Sequence, residues 1–312
     1  MDRDQLINAL YESIGEACVT APDVAHVEIH GNQVLGLHLV PGLEIENEEL
    51  EDGIRAEMTV RKNHTIEQPV RICFGLLDKK GKQNIQMKVR LEEGAQIAVL
   101  ASCTFPNAED VLHAMEADIE VGKNAEYIYL ERHVHSDEGG VSIVPRSKIR
   151  LAEGARFQTD FELIEGRVGS IDLDYEAECE ARSVLDMSAR ISAREDDTVD
   201  IHEKAHLIGE EAHSVLRTNI AVTDNARANI KNTVIASAPY TRGHVDCKEV
   251  VQKNGIANAV PIVEVHHPKA HVTHEASIGS VDNKQLETLM SRGLTEDEAT
   301  DLIIEGLLSP TI

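Results

Sequence analysis

The 312-residue chain carries 55 acidic against 30 basic residues, a net charge of −25, so phosphate backbones and anionic membrane surfaces are repelled over most of its surface. That balance counts against nucleic-acid and membrane partners, and no apolar run approaches the roughly 18 residues of a membrane span. Aromatic residues make up 3 % with no Trp, which suits layered strands packed with Val, Ile, Leu and Ala better than an aromatic-rich globular core. The opening Met1-Asp-Arg-Asp is polar and amphipathic rather than a signal peptide, so a soluble, cytoplasmic protein is expected.

From Asp2 to Cys18, Leu6, Leu10 and Ile14 recur at four-residue spacing and predict a helix. From about Val24 the period becomes two. Ile85, Met87, Val89 and Leu91 alternate with polar residues, as do Ile171, Leu173, Tyr175, Ala177 and Cys179, and then Leu185, Met187, Ala189 and Ile191. A turn grammar recurs among these strands: an apolar strand end, a polar pair, Gly or Asn for a positive φ, then a small Ala. It reads Leu91-Glu-Glu-Gly94-Ala95, Val121-Gly-Lys-Asn124-Ala125, Leu151-Ala-Glu-Gly154-Ala155 and Val222-Thr-Asp-Asn225-Ala226. The first three copies start 30 residues apart (91, 121, 151), a period that points to stacked coils with the four alanines at equivalent corners. A sandwich of ordinary hairpins is the competing architecture.

Two motifs imitate catalytic ones. Gly75-Leu-Leu-Asp-Lys-Lys-Gly81-Lys82-Gln83 has five residues between the glycines where a phosphate loop needs four, and Gln83 replaces the Ser or Thr that would hold magnesium. No nucleotide is therefore expected on this chain. His202-Glu203-Lys204-Ala205-His206 fits the zinc-protease pattern, which works only on a helix; Val199 and Ile201 before it and Val215 to Ile220 after it suggest strands. A zinc hydrolase stays as a rival reading. The five cysteines, at 18, 73, 103, 179 and 247, are far apart, so neither disulfides nor a cluster held by this chain's thiols alone is expected.

Cys247 lies in Val245-Asp-Cys247-Lys-Glu-Val-Val251, on the period-two face that points inward. On residues alone it reads as a buried apolar filler or as a thiol ligand that needs exposure and nearby cations to become a thiolate. His274 is in phase with Ala270, Val272, Ala276 and Ile278, so it too should face inward, with Glu275 on the other face. His271 is a weaker candidate ligand. Asp282 can cap a helix through Met290 that stops at Gly293, and Thr295-Glu-Asp-Glu298 is a capping box for a second helix with an apolar stripe of Ala299, Leu302, Ile303 and Gly306.

The order Gly243-His-Val-Asp-Cys247, Pro261-Ile-Val-Glu-Val-His266, His274-Glu275-Ala276 and Ser291-Arg292-Gly293 resembles the C-terminal core of the SufB/SufD family, scaffold proteins of SUF iron–sulfur cluster assembly. The match covers about residues 199–308, and the Glu after His274 makes it SufB-like, though the N-terminal extension of longer members, with its cysteine motif, is absent. The resemblance implies a mainly β fold, a right-handed parallel β-helix over 61–280, with an N-terminal helix and short strands over 1–60 and a helical docking segment over 281–312. It implies a non-enzymatic scaffold that takes sulfur from a donor protein at Cys247, holds iron of a nascent cluster through Cys247, His274 and Glu275, and pairs as a homodimer or with a second SufB/SufD-type subunit. A SufC-like ABC ATPase would dock on Leu286, Met290, Arg292, Ala299, Ile303 and Leu307. The sequence departs from the family pattern here: Glu287-Thr288-Leu289-Met290 stands where an aromatic pair is usual, and Leu307 where Phe is usual. The rival from another class is a purely structural β-solenoid interaction protein, which would bind no iron.

Overall fold

The computed structural model describes residues 1–19, 21–51 and 53–310. It opens with helix α1 (Arg3–Ser13) and two antiparallel hairpins, β1 (His26–His30) with β2 (Gln33–His38) and β3 (Leu43–Glu49) with β4 (Ile54–Val60). There follow β5 (Val70–Gly75), β6 (Lys80–Leu91), β7 (Gln96–Phe105), β8 (Asp110–Val121), β9 (Glu126–His135), β10 (Val141–Leu151), β11 (Arg156–Glu165) and β12 (Ser170–Cys179). Then come β13 (Val184–Ala193), β14 (Thr198–Leu207), β15 (His213–Val222), β16 (Arg227–Ala236), β17 (Arg242–Val251), β18 (Ile256–Ala259), β19 (Ile262–Val265) and β20 (His271–Gly279). Helices α2 (Asn283–Met290) and α3 (Glu296–Leu308) follow them.

Successive strands alternate between two ten-stranded sheets. One runs β2-β1-β5-β7-β9-β11-β13-β15-β17-β20 and the other β18-β16-β14-β12-β10-β8-β6-β4-β3, with β19 also on β16. Every pairing beyond the two hairpins is parallel, as Val111 opposite Val141 and Glu126 opposite Arg156, each 30 residues on, illustrate. The chain is thus a flattened parallel β-solenoid with its core between the two sheets. The alternation that predicted strands is the alternation of burial: β9 is buried at every second residue from Tyr127 to His135. The hairpin-sandwich reading falls, because hairpins pair neighbouring strands antiparallel.

The corners explain the turn grammar. Gly94, Asn124 and Gly154 have φ of 69°, 56° and 70°, and the alanine after each is buried. These turns stack, with the amide of Gly94 donating to the Lys123 carbonyl and that of Asn124 to Glu153. A Cβ at Gly154 would meet the Asn124 side-chain oxygen at 2.3 Å, so a larger residue there would have to displace that side chain as well as take up the positive φ. The fourth copy corrects the expectation. Ala226 joins β15 to β16, whereas the first three alanines join the other sheet to this one, so it lies on the opposite corner column; the positive φ there falls on Asp224 (57°), not Asn225. Both corners need one left-handed residue and one small inward residue, so one grammar serves two places.

The catalytic look-alikes resolve the same way. The 202–206 segment lies in strand β14, where His202, Lys204 and His206 share the outer face and Glu203 points into the core. A strand puts the Glu on the side away from both His, so the zinc-protease constellation does not form. Gly75 ends β5 and Gly81 lies near the start of β6, leaving a short connection in place of a phosphate cradle.

The two ends differ. At the N-terminal end the hairpins cover both sheets, and α1 seats Leu10 beside Leu35 and Cys73 while the buried Tyr11 hydroxyl donates to Glu28 at 2.8 Å. At the other end β18, β19 and β20 form a last coil whose Ile256, Val260, Val263, Val265 and Ile278 are exposed. After this coil α3 folds back: Arg190 of β13 donates to the Leu308 carbonyl (2.8 Å) and Asn219 of β15 to that of Leu307 (3.2 Å). These bonds satisfy carbonyls that a helix C-terminus leaves without partners. No helix among the described residues is long and apolar enough to cross a membrane.

Candidate functional site

Cys247 sits on β17, the penultimate strand of its sheet, with its side chain inside the solenoid and fully buried. The Thr218 hydroxyl, from the strand before, donates toward its sulfur at 3.4 Å; Asn232, across the core on β16, reaches Thr218 at 3.1 Å and the sulfur at 3.8 Å. Buried Glu249 lies two residues along β17, and buried Glu203 lies next to Asn232 in register. Among the described residues neither Glu249 carboxylate oxygen has a hydrogen-bond partner, and one oxygen of Glu203 also lacks one. Orphaned carboxylate oxygens in a core cost of order 1–3 kcal/mol each, so they mark a place where something cationic or a proton resides.

The electrostatics follow. Burial pushes the Cys247 thiol up to about 11, with Glu249, Glu203 and Asp246 adding to the rise and the Thr218 hydrogen bond opposing it. Burial likewise raises Glu203 to about 8, with Asp186 contributing, and Glu249 to about 7, with Asp246 contributing. The expected cations are not what surrounds this thiol. Carboxyl groups do, and the nearby Lys248 is bound to Asp246 at 2.7 Å. The resting site therefore holds a thiol, and an incoming metal cation is the species that would draw out the thiolate and the carboxylates together.

The sequence-predicted ligands are placed as follows. His274 lies opposite Val245 on β20, diagonal to Cys247 and on the inward parity, and Glu275 lies opposite Asp246 on the outward parity. Both are exposed, as is His271. His274 has the expected phase without the expected burial, since among the described residues β20 is the edge strand of its sheet. Within one chain Cys247 and His274 share a side of the sheet and Glu275 does not.

Over residues 281–308 the cap geometry is as read: Asp282 accepts from the Gln285 amide, Thr295 and Glu298 form the capping box, and Gly293 has φ of 100°. Met290 and Arg292 are exposed, and Leu286, Ile303 and Leu307 are half-buried. Ala299 is fully buried and packs inside its own chain. Leu289, Leu302 and Ile303 line a shallow apolar groove between the two helices.

A second buried polar cluster, which the sequence does not single out, lies around Cys103. Register aligns Cys103, His133, Leu163, Ile191, Ile220 and Glu249 in one inward column, and Ala101, Glu131, Phe161, Ala189, Thr218 and Cys247 in the next. The same two columns thus carry a polar group at each end with an apolar stretch between. The signal was available, since Cys103 and His133 stand 30 residues apart, one coil.

The family described as SUF system FeS cluster assembly, SufBD core domain, matches residues 76–307. The chain is similar to iron–sulfur cluster assembly SufBD family proteins of Methanocaldococcus jannaschii (37 % identical over 267 residues, 86 % of this chain and 84 % of that one) and Pyrococcus horikoshii (35 % over 285 residues, 91 % and 87 %). A further relative of the same description, from Archaeoglobus fulgidus, is 28 % identical over 244 residues, 78 % of this chain and 65 % of that one.

Proposed function

The chain belongs to the SufBD family of iron–sulfur cluster assembly proteins, and from that premise we propose that it is a scaffold on which a nascent cluster forms at the open end of the solenoid. The observation that carries this is the Cys247 chamber, a buried soft ligand among orphaned carboxyl groups, one strand from the exposed His274. Cys247 receives sulfane sulfur from a donor protein's persulfide: its thiolate attacks the terminal sulfur, a Cys247 persulfide forms, and the donor cysteine leaves as thiolate. Iron, as cargo, is held by Cys247 with His274 and Glu275, a thiolate, imidazole and carboxylate set suited to it. His271, at the start of the same strand, is an auxiliary ligand.

Because Glu275 points away from Cys247 within its own chain, the complete set calls for a second subunit, either another copy or a related SufB/SufD-type chain. The five exposed apolar residues of the last coil and the unpaired edge of β20 support an interface at that end. The apolar groove of α2 and α3 is the docking surface for a SufC-like ABC ATPase, whose hydrolysis would move two scaffold chains and expose Cys247 to the cytoplasm. Anaerobic reconstitution with iron and sulfide, with and without that ATPase, is the test. Absorption bands of a cluster that grow in with the ATPase support the reading; a chain that binds no iron under either condition is a structural interaction protein instead.

A further inference from the structure

At the capped end of the solenoid, Cys103 of β7, His113 of β8 and Glu131 and His133 of β9 bring their ligand atoms within 4.8 Å of one another, all four side chains being buried. We propose that this chamber is a resident site for one divalent first-row transition-metal ion, separate from the cluster chemistry at Cys247.

Charge and protons argue for it first. The His135 Nδ1–H donates to the Arg167 carbonyl (2.9 Å), which leaves His135 Nε2 as acceptor for the Nδ1–H of His133 at 3.4 Å. His133 thus spends one ring proton on His135, while its Nε2 lies 2.7 Å from Glu131 Oε1, a contact that needs a second proton between them. Without metal His133 and Glu131 share one proton inside the core, with Cys103 donating toward the same carboxylate oxygen at 3.7 Å. A divalent cation in that position replaces the shared proton and the thiol proton, and both leave to solvent. The result is one dication with Cys103 thiolate, Glu131 carboxylate and two neutral imidazoles, a set of zero net charge, as a fully buried site requires.

The orphan count agrees. Neither ring nitrogen of His113 has a hydrogen-bond partner among the described residues, although the ring is fully buried. A metal bond gives one of those nitrogens its partner. The surroundings are those of a closed metal site: Phe105 and Phe74 pack on His113 at 5.0 and 6.3 Å between centroids, and Phe161 on His133 at 4.8 Å. The relay from His133 through His135 to the Arg167 carbonyl is the outer support that fixes a ligating imidazole's tautomer. One sulfur, two nitrogens and one oxygen suit zinc or ferrous iron and do not suit magnesium or calcium.

The full-length protein, stripped with chelator under anaerobic conditions, is titrated with Zn2+, with Fe2+, and with Co2+ as spectroscopic probe. One tightly held ion per chain, with cobalt giving a thiolate charge-transfer band and the intense visible bands of a tetrahedral site, is the expected result. Cys247→Ser should keep that signature, and Cys103→Ala and His113→Leu should each lose at least ~100-fold in affinity. Loss of the cobalt bands in Cys247→Ser and retention in Cys103→Ala would place the ion at the other chamber and overturn the proposal. So would wild-type protein that binds cobalt without a thiolate band, a readout that needs no variant to fold. Zinc and iron arms differ only in naming the resident ion, and failure here leaves cluster assembly at Cys247 untouched.

Discussion

Of the four buried thiols, Cys103 and Cys247 stand in adjacent inward columns of one repeating structure and have opposite surroundings. Cys103 lies in the capped half among histidines, with one carboxylate hydrogen-bonded to His133 at 2.7 Å; Cys247 lies one strand from the open end among carboxyl groups, with no cation beside it among the described residues. Five strand steps separate them, about 24 Å at the usual strand spacing. The solenoid makes both chambers by the same device, replacing an apolar residue at one rung of an inward column. Which chemistry results depends on what the neighbouring coils supply at that rung, and on whether another coil covers it.

Breaking the buried Glu131–His133 contact should have the largest effect on stability. Glu131→Ala leaves His133 without its partner in the core and should cost about 3–5 kcal/mol in denaturant melts, whereas Thr218→Ala beside Cys247 should cost about 1 kcal/mol. Equal losses would erase the distinction between the chambers.

The pH dependence should have opposite signs. Burial holds the Glu203 carboxyl at about 8 against an ordinary 4.5, so the folded chain binds more protons than the unfolded chain between those values. The associated stability is complete below 4.5 and is lost as pH rises through about 8. Glu203→Gln should flatten that decline by of order 1–3 kcal/mol between pH 5 and pH 9. In metal-free protein His113 and His135, which burial pushes down to about 3 from 6.5, contribute stability above 6.5 that is lost as pH falls toward 3. Melts of wild type and Glu203→Gln across pH 4 to 9 check both limbs; an alkaline limb unchanged in the variant would remove Glu203 from the account.

Smaller effects are expected at the open end. Arg190→Ala removes both the donor to the Leu308 carbonyl and the partner of Asp160 and Glu162, so it should speed amide exchange over 296–308 and also lower the stability of the solenoid by about 1–2 kcal/mol. Ile278→Asp, on the exposed last strand, should shift sedimentation toward monomer without changing the melting curve. A chain ending at Gly279 should still self-associate and lose the ATPase.

The architecture was legible because a 30-residue period and two-residue alternation are both properties of neighbours along the chain. The helix caps at Asp282 and Thr295 were legible for the same reason. What was not legible depends on which coil lies next. Ala226 obeys the corner grammar but sits on the other corner; His274 has inward phase but the last coil leaves it open; Cys103 and His133 are ligand neighbours only once the 30-residue coil is used as a ruler. Cys247 was found through resemblance, and its carboxyl surroundings came from the register of β14, β16 and β17.

The central claim is that Cys247 is where sulfur and iron meet, and Cys247→Ser tests it most directly, since an alcohol of nearly the same size keeps the fold but carries no persulfide and is a poor soft-metal ligand. Reconstituted anaerobically with iron, a sulfur donor and the ATPase, this variant should form no cluster by absorption while its melting curve stays at wild type. Cluster formation at the wild-type rate in Cys247→Ser would contradict the account.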